Sequence, residues 1–328
     1  MKIAALLPHV EIFGGVRRYL EIGNELAKRG YYFVLFQPDG SKPEWLEFKG
    51  ITKSFSSLGE EDFDIGLCSE YSILPYFEKL NARAKIFYFV QEGHKKEKEV
   101  VKKNYYFLGN SIGICNRIEK KYHISCYRVF GGVNPKIFFP LEKKIRGNEF
   151  SILCYGRIYK RVKRIKHIIR AVESLYKKYP RLKLVFFDSL VGEDRRDPRP
   201  MINTRVPHEF HLNLPQSKMA WLYSQADIFV SAERRAGWSN TTAEAMACQI
   251  PVVCSRSGTR DFAFHNQTAL VVPFPHPLLL RYQIKKLLKD EELRLRIARA
   301  GYEKMQEFSW SALADQLERV LKELVKLN

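Results

Sequence analysis

Short apolar runs alternating with segments of helical period constrain this chain more than any other feature, because that alternation builds βα units and a parallel sheet. In the first half the candidate strands are KIAALLP, YFVLF, FDIGLC, AKIFYFV and FLGNSIGIC. Between the first two lies GVRRYLEIGNELAKRG, where Val16, Tyr19/Leu20, Gly23 and Leu26/Ala27 recur at helical spacing and Gly30 stands as a C-cap. A charged connector, PLEKKIRGNEF (140–150), separates this half from a second that repeats the logic. There FSILCYG, LKLVFFD, ADIFVSA and IPVVCS read as strands, and RIKHIIRAVESLYKKY and TTAEAMACQ as helices. The tail WSALADQLERVLKELVKLN is amphipathic, with Trp310, Leu313, Leu317, Val320/Leu321 and Leu324 on one stripe. The expected fold class is α/β, with two doubly wound Rossmann-like domains of similar size (1–145 and 146–310). Ligands of such sheets lie beyond the strand C-termini, so paired domains place a site in the cleft between them.

A length of 328 residues suits two domains, and 45% hydrophobic residues can bury sizeable cores. No apolar run approaches the roughly 18 residues of a membrane span. The opening MKIAALLPHVEIFGG passes at once from a short apolar stretch into a glycine loop and charges, so it reads as a first buried strand and not as a secretion signal. Six scattered cysteines without a CxxC pair suit free thiols in a reducing cytosol. Asn240-Thr-Thr and Asn266-Gln-Thr match the glycosylation sequon, which carries no meaning there. A formal net charge of +19 calls for nucleic acid, anionic phospholipid or a phosphorylated small molecule, unless it is a solvated surface that aids solubility. Nucleic acid rests on charge alone, since no aromatic-basic recognition motif accompanies it.

Three loops could carry chemistry. In PHVEIFGGVRRY, Gly14 and Gly15 follow a strand and open a helix, which either lets helix N–H groups face an anion or makes a plain tight turn. In YGRIYKRVKRIKHIIR, Gly156 ends a strand and a run of Lys and Arg without an acid follows. Arg157 and Lys163 could there neutralise a diphosphate, whereas Lys166 and Arg170 read as a solvated helix face. In AERRAGWSNTTAEAMACQIPVV, Glu233, Gly237, Trp238, Ser239, Asn240, Thr241 and Glu244 crowd the mouth of one small helix. Thr241-x-x-Glu244 fits a capping box, and Glu244 could equally accept hydrogen bonds from ligand hydroxyls while the helix N-terminus holds phosphate. Two carboxylates could also form a glycosidase pair, which depends on a separation in space. His208 and His211 lie three apart with no evident third ligand, and HKKEKEVVKK (94–103) reads as a solvated helix or a dock for anionic lipid.

Taken in order, these loops resemble a family-four glycosyltransferase of the GT-B fold over nearly the whole chain. GGVRRYLEIGNELAKRG is similar to that family's first loop and helix, FGGVNPKIFFP to its NG(V/I)D…F.P segment, and YGRIYKRVKRIKHIIRA to GR…KG…LI.A with one extra residue before Lys163. LPQSKMAWLYSQADIFVSA and AEAMACQIPVV resemble its donor-site strand, helix and strand, SGTRDF its GG..E, and FSW with the long helix its C-terminus. The resemblance implies a nucleotide-diphosphate sugar as donor, bound mainly by the second domain, and a last helix (311–328) that crosses back to the first. It implies Arg157 and Lys163 on the diphosphate, Glu244 on the ribose hydroxyls, and the Gly14/Gly15 loop approaching the donor's phosphate or sugar from the other domain. It further implies no metal or other cofactor, retention without a protein nucleophile, and work in cell-surface polysaccharide or glycolipid synthesis. The acceptor would be a glycan or lipid-linked, and the enzyme cytoplasmic, with an anionic inner membrane face as a possible docking surface.

The chain departs from that pattern. Ala236 stands where E-x7-E has its first glutamate, with Glu233 three residues earlier. Gln91 aligns with the first-domain histidine, with His94 nearby, so both are candidates for acceptor or sugar contact. Arg164 replaces the glycine after Lys163, Gly237-Trp238-Ser239-Asn240 replaces G-F-G-L, and Asp261 replaces the last glutamate. These departures motivate the alternative of a non-catalytic nucleotide-sugar-binding subunit.

Overall fold

The computed structural model describes residues 1–142, 149–191 and 195–327, so the stretch 143–148 of the charged connector lies outside the described residues. The chain divides into two compact units, Met1–Gly132 joined by the segment from Trp310 onward, and Val133–Ser309. The division falls ahead of the 145/146 boundary read from the sequence. The reason is that the Val133 N–H donates to the Phe308 carbonyl at 2.8 Å, and the Phe138 ring packs 6.1 Å from Tyr223.

The first unit begins β1 (Lys2–Leu6), α1 (Gly14–Lys28), β2 (Tyr32–Gln37), β3 (Ile51–Ser54) and β4 (Phe63–Cys68). It continues α2 (Leu74–Lys79), β5 (Ala82–Phe89), α3 (Glu97–Val100), β6 (Tyr106–Gly109), α4 (Ile112–Tyr122) and β7 (Tyr127–Arg128). The second unit runs β8 (Phe150–Tyr155), α5 (Ile165–Tyr176), β9 (Leu182–Asp188), β10 (His208–Leu212), α6 (Met219–Ser224) and β11 (Ile228–Ser231). Then come α7 (Asn240–Ala247), β12 (Val252–Ser255), β13 (Leu270–Val272), α8 (Pro277–Lys289) and α9 (Glu291–Met305), before α10 (Trp310–Leu327) returns to the first unit. No helix among the described residues is long and apolar enough to cross a membrane.

Among the described residues the strands pair in parallel in the orders β3-β2-β1-β4-β5-β6-β7 and β10-β9-β8-β11-β12-β13. Each order reverses direction once, between β1 and β4 and between β8 and β11. Such a switch point leaves a crevice beyond the strand ends, because neighbouring crossovers leave on opposite faces.

Alternation along each strand builds the layers. Ile3 and Ala5 join Val16, Leu20 and the α10 stripe (Trp310, Leu313, Leu317, Leu321, Leu324) on one face, while Ala4 and Leu6 meet Phe77 and Ile114 on the other. Gly30, at φ +82, closes α1 with Gly30 N–H on the Ala27 carbonyl and Tyr31 N–H on that of Leu26, the pattern of a glycine-ended helix. Arg29 and Tyr31 then bond Glu318 of α10 at 2.8 and 2.7 Å. All six cysteines are buried free thiols.

Two local readings are corrected, and a third is given its geometry. FLGNSIGIC is a strand only to Gly109, because Ser111 Oγ accepts from Ile114 N–H at 3.3 Å and starts α4. A Cβ at Gly109 would come 2.5 Å from Cys115 Sγ, so the glycine lets that helix sit on the strand end. HKKEKEVVKK is helical only over Glu97–Val100, and Glu97 is 1% exposed. Burying Val100 draws Glu97 inward, where Arg117 (2.8 Å) and the Tyr122 hydroxyl (2.8 Å) bond its carboxylate. His208 and His211 lie on β10, where residues three apart point to opposite faces and cannot share one ion.

Candidate functional site

The second unit assembles its polar loops at the β8/β11 switch point. β8 ends in Tyr155, and Gly156 follows because a Cβ there would meet the Phe210 ring at 2.5 Å. A short 3₁₀ turn, Arg161–Lys163, then leads into α5. From β11 the chain enters the loop holding Glu233, and the Arg234 N–H donates to the Val162 carbonyl at 3.0 Å, stitching the two loops together. Across that stitch Lys163 Nζ bonds Glu233 Oε1. Glu233 is 6% exposed, and its Oε2 is buried without a hydrogen-bond partner among the described residues. A buried carboxylate oxygen left unpaired is costly unless something outside the chain donates to it.

Arg157 is committed differently. Its Nε and Nη2 bond the Asp188 carboxylate (3.1 and 2.8 Å), and Nη2 also reaches the Ser189 carbonyl at 2.7 Å, leaving Nη1 outside the pairing. The Tyr155 ring lies under both cations, 5.4 Å from the Arg157 guanidinium and 5.2 Å from Lys163 Nζ, within cation–π range. Burial first, and then Asp188, push the Tyr155 phenol well above the ordinary tyrosine range, so it stays neutral. Tyr155 and Asp188 were missed from the sequence because both read as strand ends.

The capping box is not formed. α7 starts at Asn240 with Ser239 as its N-cap residue, so Thr241 already lies inside the first turn. Glu244, 7% exposed, instead accepts from the Tyr223 hydroxyl at 3.0 Å. Tyr223 is fully buried on α6 and gave no signal in the sequence beyond a helical apolar period.

The loop before α7 is set from behind. The Ser239 N–H donates to the Gly258 carbonyl (2.8 Å), and the Ala236 N–H to Ser257 Oγ (2.8 Å). Gly258 sits at φ +72, and a Cβ on it would lie 2.7 Å from Ala236 Cβ, which explains glycine in SGT. The Trp238 indole is withdrawn from the loop, packing 4.7 Å from Phe262 and 5.2 Å from Phe308. The Ser239 hydroxyl is spent on Thr242 Oγ1 at 2.7 Å. Packing thus engages the Trp238 ring, while its Nε1 is buried without a hydrogen-bond partner among the described residues. Gly237 is buried, and Asn240 and Thr241 remain part-exposed at the helix start.

In the first unit Gly14 and Gly15 are the first residues of α1, after Phe13 in extended conformation. A Cβ at Gly15 would lie 4.0 Å from Glu70 Oε1, and burial raises the Glu70 carboxyl above its ordinary pKa. Glu70 follows β4, across the switch point from the β1 loop, and was not singled out in the sequence. Gln91 is exposed just after β5. His94 stacks on Tyr71 (ring centroids 3.8 Å apart), and its Nδ1 accepts from the Lys96 N–H at 3.2 Å. His94 therefore closes a turn, and burial followed by Lys95 and Lys96 lowers its pKa.

Two parallel doubly wound sheets, each with its polar loops at the switch point, define a GT-B fold. Residues 136–304 match the profile of the family Glycosyl transferases group 1, and the chain belongs to that family. It is 26% identical over 217 residues to the capsular polysaccharide biosynthesis glycosyltransferase CapM of Staphylococcus aureus, covering 64% of this chain and 50% of that protein. The chain spans about half the length, or less, of the curated relatives it matches. In fold it is similar to a sucrose-phosphate synthase from Thermosynechococcus elongatus, with a TM-score of 0.84, 17% identity and all of both chains covered. It is likewise similar to Anabaena HepE, solved in complex with UDP-glucose, with a TM-score of 0.76, 13% identity and 98% and 100% of the two chains covered.

Proposed function

We propose that this protein transfers a sugar from a nucleotide-diphosphate donor to a glycan or lipid-linked acceptor in the synthesis of a cell-surface polysaccharide or glycolipid. The transfer proceeds with retention, without a metal ion, in the cytoplasm or at the inner membrane face. The observation that carries the reading is the Lys163–Glu233 pair at the switch point, a cation beside a buried carboxylate with one oxygen unpartnered among the described residues. A diphosphate supplies the anion that Lys163 and the α7 N-terminus attract, and a sugar or ribose hydroxyl supplies the donor that Glu233 Oε2 lacks. Glu233 thereby takes over from the glutamate absent at Ala236.

Breaking the bond between the anomeric carbon and the diphosphate oxygen leaves charge on the diphosphate. Lys163, the Nη1 edge of Arg157 and the α7 N–H groups are fixed positive potential for that charge, the task a divalent cation would otherwise perform. Glu244, oriented by Tyr223, takes the ribose hydroxyls. Front-face attack by the acceptor hydroxyl needs no protein nucleophile. Gly14, Gly15, Gln91 and Glu70 of the first unit are assigned to the acceptor or the transferred sugar. The names of relatives support the classes chosen: CapM is named for capsular polysaccharide and HepE was solved with UDP-glucose.

Thermal stabilisation by a panel of nucleoside diphosphates and nucleotide sugars tests the site. A ligand at 100 times its dissociation constant stabilises by about 2.7 kcal/mol. One base should stand out, its effect should vanish in Lys163→Ala and weaken in Glu244→Gln, and transfer should survive a chelator. Unchanged donor affinity in both variants overturns the assignment. Donor binding without transfer to any acceptor favours the binding-subunit reading that Ala236 and Gln91 motivate.

A further inference from the structure

The segment that carries Lys163 towards Glu233 turns a second face to a cavity of 380 Å³. Arg161, Arg164, His167 and Arg170 recur every third residue through the 3₁₀ turn and α5, and so stack as one stripe along it. Lys166 and Arg196 also line the cavity, and no Asp or Glu among the described residues does. Ile158, Tyr159, Ile165 and Met201 supply its apolar lining. None of Arg157, Lys163, Glu233 or Glu244 is among the lining residues, so the stripe and the donor pairing occupy different faces of the same segment.

Three observations point to a missing anion. Arg164 Nε is buried without a hydrogen-bond partner among the described residues, a rarity for a guanidinium N–H. Burial first, and then the neighbouring Arg164, lower the His167 pKa against a backbone hydrogen bond at Pro275 that raises it, so positive charge stands close to this ring. Finally, Arg164 keeps a large side chain at φ +54, a left-handed conformation that glycine would adopt without strain.

We propose that this cavity is a second anion site, separate from the donor site, which takes a phosphate ester or diphosphate and rests its less polar body on Ile158, Ile165 and Met201. Its volume lies at the lower end of small-molecule pockets, roughly 300–1,000 Å³. The ligand is either a soluble phosphate ester or the headgroup of an anionic lipid.

Inorganic pyrophosphate titrated into the full chain by calorimetry tests the site, alongside three variants. Arg164→Gly removes the guanidinium and relieves the backbone, so its melting temperature should be unchanged or higher. Arg161→Gln with Arg170→Gln removes two exposed charges, and Lys163→Ala disables the donor site alone. Wild type and Lys163→Ala should both bind pyrophosphate here, and the first two variants should bind it about tenfold or more weakly, the loss of one charge-assisted contact. The proposal is overturned if pyrophosphate does not bind, or if binding disappears in Lys163→Ala while Arg164→Gly leaves it intact. Vesicles of phosphatidylcholine with and without phosphatidylglycerol separate the sources. Phosphatidylglycerol-dependent binding that the same variants weaken identifies a headgroup, and pyrophosphate binding without it identifies a soluble ester.

Discussion

Asp188→Asn is the most informative single change in the second unit. Asp188 is 3% exposed overall, its side chain 1%, and it fixes Arg157, whose side chain is 11% exposed, through contacts of 2.8–3.1 Å. Asparagine keeps the shape and one carbonyl acceptor but removes the charge, which leaves a guanidinium buried beside a neutral group. Removing one partner of a buried ion pair costs about 3–5 kcal/mol. The retained acceptor and the Ser189 carbonyl place this case at the low end, about 3 kcal/mol. A domain of this size loses roughly 2–4 °C in Tm per kcal/mol, so the second unit's transition should fall by roughly 6–12 °C in scanning calorimetry. Replacing both partners by apolar residues of similar volume, Arg157→Met with Asp188→Leu, should recover much of that loss, because no charge is then left uncompensated. The reasoning fails if the single variant melts with wild type, or if the double variant is no more stable than Asp188→Asn.

Gly258→Ala should destabilise by roughly 1–3 kcal/mol from the clash with Ala236 and weaken donor binding with it, because Gly258 supports the 236–239 loop; nucleotide titration and urea unfolding read the two effects. Gln249→Gly should stabilise by about 1 kcal/mol in the same assay, since Gln249 is exposed and sits at φ +58 just past the end of α7. Glu97 is held at a pKa of about 2: burial alone would raise it, and the bonds from Arg117 and Tyr122 outweigh burial. The folded pKa lies below the unfolded 4.5, so the fold favours the charged form, and the stability this contributes is complete above about pH 5 and lost as pH falls towards 2. Solvent screening at the part-exposed Arg117 limits its size to about 1–3 kcal/mol. Denaturant midpoints at pH 7 and pH 3 should therefore differ more for wild type than for Glu97→Gln.

Much of this molecule could be read locally. Strand period, helical stripe and the glycine past α1 depend on residues within a few positions of one another, and the α10 stripe from Trp310 to Leu324 is buried as its spacing implies. The loops that approach the switch points were also legible, because glycines and charges interrupt the apolar pattern there. Partners were not. Lys163 meets Glu233 70 residues away, Asp188 takes Arg157 from a neighbouring strand end, and Tyr223 reaches Glu244 from a preceding helix. Local pattern says which face of an element turns inward, but which side chains then meet depends on strand order and on where each crossover returns. Trp238 illustrates the limit: its place in a polar loop says nothing of the Phe262 and Phe308 rings that its indole packs against.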